Sequence, residues 1–256
     1  MTSTPERGGA RPQVALFATC LLDLFRPSLG FAVARLLEEA GYEVVVPPAQ
    51  TCCGQPNYNG GDRAGAIALA RATIRTLRTF PHVVVPSGSC ASMIRTHYPR
   101  LFEPGTPARE EADALAARTF ELSVFLTEVA GWRPAGRRMP VRATYHDACS
   151  GLRELGIKAQ PRKLLASVEG LELTELIDAE YCCGFGGTFC VKYPEISNRM
   201  VENKCADIEH SKAQMVIAGD LGCLLNMEGK LHRQGAGVRV CHFAEVLAES
   251  AGEEAP

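Results

Sequence analysis

The sequence carries one arrangement of four cysteines twice, and this repeat constrains the fold more than any other feature. In each copy a Cys-Cys-Gly tripeptide lies between two outlying cysteines, at intervals of 31 and 36 residues in the first copy and 32 and 39 in the second. The first array is Cys20, Cys52, Cys53 and Cys90, and the second array is Cys149, Cys182, Cys183 and Cys223. Thiolates gathered in fours are soft ligands, so the repeat predicts a duplicated unit suited to iron–sulfur clusters or zinc.

Composition argues against several classes of protein. The 256 residues are 46% hydrophobic and 22% charged, as is typical of globular proteins. The formal net charge of −2 argues against broad attraction to nucleic acid, and no apolar run approaches the roughly 20 residues of a membrane span. Residues 1–11 lack the apolar core of a signal peptide. We therefore expect a cytoplasmic protein with no nucleic-acid partner, no membrane span, and disordered tails at residues 1–11 and 250–256.

The cysteine count does not fit a disulfide framework. Such frameworks typify small secreted chains with an even number of cysteines, whereas this chain is larger and has eleven. Eight of the eleven belong to the two arrays and are interpreted as metal ligands. The other three are interpreted as small buried hydrophobic residues: Cys190, Cys205 and Cys241.

Short apolar runs alternate with helical patterns, in the same order, in two halves of the chain. The first half is residues 12–131 and the second half is residues 140–249, joined by a link at 132–139 that is rich in Pro, Gly and Arg. Strands are predicted at 14–19, 43–46, 82–85, 141–145, 171–176 and 214–218, with a further strand-like run at 238–240. Helices are predicted at about 27–37, 62–79, 160–167 and 194–211. This alternation predicts an α/β fold with two duplicated Rossmann-like βαβ halves and largely parallel sheets.

Each array is predicted to gather at one edge of its sheet. The outlying cysteines come at or shortly after the ends of predicted strands, and each Cys-Cys-Gly tripeptide lies in a loop that follows a strand. In open α/β sheets, ligands collect beyond the carboxyl ends of the strands, often at helix N-termini. The pattern therefore brings four thiols per half to the C-terminal edge of one sheet.

Glycines beside the arrays are candidate cofactor-binding residues. Glycine lets the backbone approach a bulky inorganic group and offers N–H groups to sulfur. The candidates are Gly54, Gly184, Gly186 and Gly187. A phosphate-binding loop is the weaker interpretation, because the Gly-rich run lacks the Lys-Ser/Thr ending of a Walker motif.

His146 is a further candidate at the cofactor site, three residues before Cys149. It could orient a ligand or bind metal itself; equally, it could pair with the neighbouring Asp147 or cap the following helix. Among metals, iron–sulfur clusters are favoured over zinc. Structural zinc sites usually draw on close Cys-x2-4-Cys pairs, and neither half contains a Cys-x-x-Cys.

Several motifs resemble the CCG cysteine-rich domain, and most closely the lactate-utilisation A family. They are Cys20–Pro27, Thr51–Pro56, Pro86–Cys90, Tyr145–Cys149 and Cys182–Phe189, and the resemblance extends over residues 13–248. The same domain occurs twice in the cysteine-rich subunit of heterodisulfide reductase and in the iron–sulfur subunits of glycolate and glycerol-3-phosphate oxidation.

The resemblance implies an iron–sulfur electron-transfer subunit of a multi-subunit, NAD-independent system that oxidises L-lactate to pyruvate. Its cofactor would be one or two iron–sulfur clusters of the [4Fe-4S] type, held by the eight arrayed cysteines. Its partners would be a ferredoxin-type iron–sulfur subunit and a third small subunit. No flavin-binding motif stands out, which leaves open whether dehydrogenation occurs in this chain or elsewhere in the complex.

The chain departs from the heterodisulfide reductase pattern at one position in each half. In that enzyme each array ends in Cys-x-x-Cys, and five cysteines hold a non-cubane cluster. Here Met93 and Asn226 stand at the last position, so four thiolates per half remain, enough for a conventional cubane cluster. Two alternatives stay open from the residues alone: a zinc-stabilised scaffold subunit, and a thiol–disulfide redox protein that uses the Cys-Cys pairs directly.

Overall fold

The computed structural model describes residues 11–249, which contain two four-stranded sheets. Of the tails predicted to be disordered, residues 1–10 and 250–256 lie outside the described residues. The strands of the first sheet are β1 (Gln13–Leu16), β2 (Glu43–Val45), β3 (Val83–Val85) and β4 (Thr119–Glu121). Those of the second sheet are β5 (Arg138–His146), β6 (Glu169–Glu175), β7 (Met215–Ala218) and β8 (Arg239–His242).

The two sheets share one topology. Their strand orders are β2-β1-β3-β4 and β6-β5-β7-β8, and every pairing between neighbouring strands is parallel. In each sheet the first strand of the half lies beside both the second and the third, so the chain reverses its direction of winding between these strands. The prediction of two duplicated α/β halves with parallel sheets is confirmed.

Two details of the sheets differ from the prediction. β4 was not predicted, because its three residues, Thr-Phe-Glu, form no apolar run. β5 begins at Arg138 and pairs there with Glu169, across a register shift between Arg138 and Val141. The last two residues of the predicted link, at 138 and 139, therefore belong to the second sheet.

Helices follow the strands and cover the sheets. In the first half they are α1 (Cys20–Phe25), α2 (Pro27–Glu39), α3 (Gln55–Gly60), α4 (Arg63–Leu77), α5 (Gly88–Ser92), α6 (Tyr98–Leu101), α7 (Pro107–Ala117) and α8 (Leu122–Val124). In the second half they are α9 (Cys149–Leu155), α10 (Ala159–Leu165), α11 (Phe189–Lys192), α12 (Pro194–His210), α13 (Leu221–Gln234) and α14 (Phe243–Ala248). Single π-helical turns at Met93–His97 and Phe125–Val129 continue α5 and α8. Among residues 11–249, no helix has both the length and the apolar character needed to cross a bilayer.

The two halves pack on each other through helices. On α2, the buried residues Leu29, Val33, Leu36 and Leu37 form an apolar stripe at helical spacing, and this helix packs on α14 of the second half. α5 packs on α9, where Gly88 approaches so closely that a Cβ there would lie 3.0 Å from Cα of Gly151. One hydrophobic cluster contains buried residues of both sheets, including Leu16 and Tyr145. The halves therefore share a core, which holds their C-terminal strand edges together.

Candidate metal centres

The outlying cysteines occupy equivalent helix positions in the two halves. Cys20 and Cys149 are the first residues of α1 and α9, and Cys90 and Cys223 are the third residues of α5 and α13. The unpaired backbone N–H groups of a first helical turn carry partial positive charge. The fold thus places two thiols of each array where the backbone can offset their charge.

The Cys-Cys-Gly tripeptides form the same turn in both halves. Gly54 and Gly184 adopt left-handed φ angles of 84° and 86°. Their N–H groups lie 3.5 Å from Sγ of Cys52 and 3.4 Å from Sγ of Cys182, respectively, and donate to these sulfurs. A side chain at Gly184 would also meet its neighbours, since a Cβ would lie 2.6 Å from the carbonyl oxygen of Ser197. These two predicted glycines therefore shape the thiol loops directly.

The four thiols of the first array lie in two close pairs. Sγ of Cys20 is 3.8 Å from Sγ of Cys52, and Sγ of Cys53 is 3.3 Å from Sγ of Cys90. Hydrogen bonding to Cys52, with burial, raises the pKa of Cys20. Hydrogen bonding to Cys52 and Cys90, with burial, raises the pKa of Cys53, whereas the thiols of Cys20 and Cys53 lower the pKa of Cys52. Thiols crowded together in this way release their protons readily only when a metal cation binds in place of the protons.

A cavity of about 200 Å³ opens onto all four thiols of the first array. Residues of the second half form its other wall: Phe185, Gly187, Thr188, Val191, Asp220, Leu221 and Gly222. The volume is several times the ~30 Å³ share of one water molecule, so the space suits a polyatomic group better than a single ion. Neither half alone encloses this site.

In the second array a histidine lies beside two of the thiols. The ligand atoms of His146, Cys183 and Cys223 all lie within 4.8 Å of one another, and all three residues are buried. Hydrogen bonding to Cys182, with burial, raises the pKa of Cys149. The hydrogen bond to Cys183 favours the thiolate of Cys223, but burial together with the charges of Asp220, Cys149 and Cys182 outweighs it and raises the pKa of Cys223 to about 11. Burial lowers the pKa of His146 to about 3, which keeps the imidazole neutral.

His146 adopts neither of the ordinary structural roles open to it. The carboxylate of Asp147 accepts two hydrogen bonds from Arg162, at 2.8 and 2.9 Å, so it does not pair with His146. The residue that precedes α9 is Ala148, which makes no side-chain capping bond. The imidazole instead points at the sulfurs of the second array.

The two remaining glycine candidates make other contacts. Gly187 lines the cavity of the first array instead, and a Cβ at Gly186 would lie 2.7 Å from Cβ of Phe189. The predictions for Cys205 and Cys241 as buried core residues agree with their positions in α12 and β8. Cys190, in α11, is half-buried, and its thiol donates to the carbonyl of Gly187 at 3.4 Å.

A family model matches both halves of the chain. The CCG model, described as a cysteine-rich domain, matches residues 14–95 and 143–228, which contain both arrays in full. The chain belongs to the CCG cysteine-rich domain family.

Relatives within the CCG family match almost the whole chain. The lactate utilization protein A of Geobacillus sp. (strain WCH70) is 48% identical over 92% of this chain and 98% of its own length. The protein of the same name from Exiguobacterium sp. (strain ATCC BAA-1283 / AT1b) is 46% identical over 93% of this chain and 98% of its own. A hypothetical protein from Helicobacter pylori shares the fold at 12% identity, with a TM-score of 0.61, over 96% of this chain and 50% of that one.

Met93 and Asn226, which stand at the position of a fifth cysteine, have structural roles in this fold. Met93 is fully buried in the hydrophobic core of the first half. The side-chain amide of Asn226 donates to the backbone carbonyl of Cys183 at 2.8 Å and so holds the second thiol loop in place.

Asp220 is the main residue of the site that sequence reasoning missed. Its carboxylate lines the cavity of the first array although it belongs to the second half. It is 4% exposed and accepts hydrogen bonds from the hydroxyl of Ser87 and the N–H of Ser89, each at 2.9 Å. Its place three residues before Cys223 predicts a helix cap, but contact with the first array depends on how the halves pack.

Proposed function

We propose that this chain is an iron–sulfur electron-transfer subunit of a multi-subunit, NAD-independent system that oxidises L-lactate. The eight arrayed cysteines would hold one or two [4Fe-4S] clusters, which supply one-electron transfer when bound. The two halves would each contribute one binding unit, at residues 12–131 and 140–249.

The cavity of the first array is the observation that carries this proposal. Four thiols face one space, and this number matches the four-cysteine ligand set of a cubane cluster. The space is larger than a single ion needs, and two of its thiols, Cys20 and Cys90, lie in first turns of helices. Phe185 and Leu221 close it from the second half, and they would limit the access of water to the sulfurs.

The groups around the first array have opposing effects on a bound anionic cluster. The N–H of Gly54 points at Sγ of Cys52, which offsets thiolate charge. The carboxylate of Asp220 adds negative charge on the opposite wall, although three hydrogen bonds from Ser87, Ser89 and Gly222 partly satisfy it. Hydrogen bonds and nearby charge are the means by which a protein tunes such a centre.

The physiological assignment is supported by the relatives. Proteins 42–48% identical to this chain are named lactate utilization protein A. We infer the same physiological role here, in the cytoplasm, with a ferredoxin-type iron–sulfur subunit and a third small subunit as partners. In this proposal the isolated chain relays electrons and does not oxidise lactate by itself.

Metal analysis after strictly anaerobic purification tests the proposal. Iron, zinc and acid-labile sulfide would be measured per chain, with reduced-state EPR on the same sample. About four or eight iron atoms with matching sulfide are expected, for one or two cubane clusters. Zinc without sulfide, or no metal in protein kept free of oxygen, would reject the electron-transfer function.

A zinc-stabilised scaffold is the second candidate, and the close grouping of His146, Cys183 and Cys223 favours it. Three donor atoms within 4.8 Å of one another, one of them an imidazole, suit a single tetrahedral ion. In that case the chain would dock partner subunits without carrying electrons. Zinc in stoichiometric amount, with no reducible signal, distinguishes this candidate from the first.

A further inference from the structure

We propose that His146 is a direct metal ligand, so that the second array forms a mixed imidazole–thiolate centre while the first is a purely thiolate one. The inference rests on the proposed function only in that the arrays hold metal. It assigns different ligand sets to two sites that the cysteine pattern alone makes equivalent.

The first step of the argument is the unsatisfied imidazole. Neither ring nitrogen of His146 makes a well-formed hydrogen bond within residues 11–249, although the backbone carbonyl of Ala179 lies near enough to interact with the ring, and the side chain is completely buried. A neutral imidazole has one donor and one acceptor, and leaving a buried polar group unpaired is unfavourable. Binding a metal through one nitrogen would use the acceptor and remove much of that cost.

The second step is the position of the ring. One ring nitrogen of His146 lies close to two sulfurs, those of Cys183 and Cys223, and all three donor atoms lie within 4.8 Å of one another. Donors bound to one zinc ion lie about 2.0–2.3 Å from it, and so no more than about 4.6 Å apart. Only a small movement would therefore bring the imidazole into the coordination sphere that these two thiolates share.

The third step compares the halves. Phe17 and His146 occupy equivalent positions, each three residues before the first cysteine of its array. Phe17 directly follows β1, and His146 is the last residue of β5. Phe17 is 1% exposed and packs in the hydrophobic cluster of the first half. The repeat therefore folds with an apolar ring at this position, and folding alone gives no reason for an imidazole in the second half.

The fourth step concerns the number of donors. The second array has four thiols, and Asn226, at the position of a fifth cysteine, is bound to the carbonyl of Cys183. His146, on β5, supplies a fifth donor to this array. The first half has no counterpart, because Phe17 offers no lone pair and Met93 is buried in the core.

The test uses His146→Phe, which copies the residue of the first half, and His232→Phe, which removes an exposed imidazole on α13. Both would be made in full-length protein, alone and with Cys53→Ser, which is designed to leave only the second centre. Protein labelled with ¹⁵N-histidine would be purified anaerobically. Pulsed EPR would detect coordinated nitrogen on a paramagnetic centre, and X-ray absorption would detect it on zinc.

We expect a directly bound nitrogen in the wild type, in Cys53→Ser and in His232→Phe, and its loss in His146→Phe. If Cys53→Ser removes both centres, the comparison of wild type with His146→Phe decides alone. A metal centre with no bound nitrogen, or a nitrogen signal that persists in folded His146→Phe, would overturn the inference while leaving the electron-transfer proposal intact. Failure of the wild type to hold any metal would overturn both.

Discussion

The hydroxyl of Ser87 donates a hydrogen bond of 2.9 Å to the carboxylate of Asp220, and this contact joins equivalent positions of the two halves. Ser87 accepts from the N–H of Cys90 and caps α5, while Asp220 accepts from the N–H of Gly222 and caps α13. Each helix carries an outlying cysteine of its array in the first turn. The two cysteine arrays are therefore linked through their own helix caps.

We expect Asp220→Ala to destabilise the protein by about 2–3 kcal/mol. The substitution leaves the buried hydroxyl of Ser87 and two backbone N–H groups without their acceptor, and an unpaired buried donor costs about 1–3 kcal/mol. Chemical denaturation of metal-free protein measures the loss. Glu228→Ala is the matched control, since Glu228 also bridges the halves, to Arg26, but its side chain is 43% exposed. Exposed ion pairs contribute about 0–1 kcal/mol, so equal losses in the two variants would contradict the assigned role of Asp220.

We expect each of the two proposed centres to lose its metal independently of the other when one of its cysteines is replaced. Cys53→Ser is expected to remove the metal of the first centre and Cys183→Ser that of the second, because serine is a poor replacement for a soft thiolate ligand. Iron, zinc and sulfide analysis of each variant, with EPR where iron is present, gives the measurement. Cys205→Ala serves as the control, since Cys205 is fully buried in α12 and belongs to neither array. Metal content unchanged in both serine variants would rule out these ligands.

The fold and the thiol arrays could be predicted because both depend on local patterns. Apolar runs followed by helical patterns predict βαβ units, and strand ends in parallel sheets collect at one edge. β4 escaped prediction because its three residues include two polar ones, Thr119 and Glu121, and it is a strand only through pairing with β3.

Contacts between the halves could not be predicted in the same way. Gly187 follows the thiols of the second array in sequence, yet it lines the cavity of the first. Asp220 reaches the same cavity for the same reason. Both positions result from the packing of α2 on α14 and of α5 on α9, and apolar periodicity shows that a helix face is buried without showing which partner covers it.

Three glycines with positive φ allow the cost of a left-handed backbone to be measured separately from the cost of a steric clash by a Cβ atom. Gly184, Gly54 and Gly235 have φ angles of 86°, 84° and 70°. A Cβ at Gly184 would lie 2.6 Å from the carbonyl of Ser197 and one at Gly54 would lie 3.3 Å from Cβ of Leu69, whereas nothing lies within 4 Å at Gly235.

Alanine at Gly235 is expected to cost about 1–2 kcal/mol, the left-handed penalty alone. Alanine at Gly54 should cost slightly more, and alanine at Gly184 the most, because backbone there cannot move aside. Denaturation midpoints of the three variants measure this order. The Gly184 variant should also lose metal from the second centre, since the turn directs its N–H to Cys182. A loss of stability at Gly235 as large as that at Gly184 would show that the steric clash at Gly184 is not the cause.

His242 makes the stability of the protein sensitive to acid. It is completely buried before α14, where Nδ1 accepts a hydrogen bond of 3.1 Å from the N–H of Ala244. Burial, with a smaller effect from the nearby guanidinium of Arg26, lowers its pKa from 6.5 to about 3. The unfolded chain therefore binds a proton at a higher pH than the folded chain does. The stabilising contribution is complete above about pH 6.5 and is lost as the pH falls towards 3.

We expect His242→Asn to remove this dependence, because asparagine caps a helix N-terminus well and does not titrate. Between pH 6 and pH 4, the unfolding free energy of the wild type should fall by about 1.4 kcal/mol per pH unit more than that of the variant. Urea denaturation of metal-free protein at several pH values measures the difference. His146, which is also buried and has a lowered pKa, is present in both proteins, so its effect cancels in the comparison. Parallel pH profiles for wild type and variant would show that His242 is already charged in the folded protein, despite its burial.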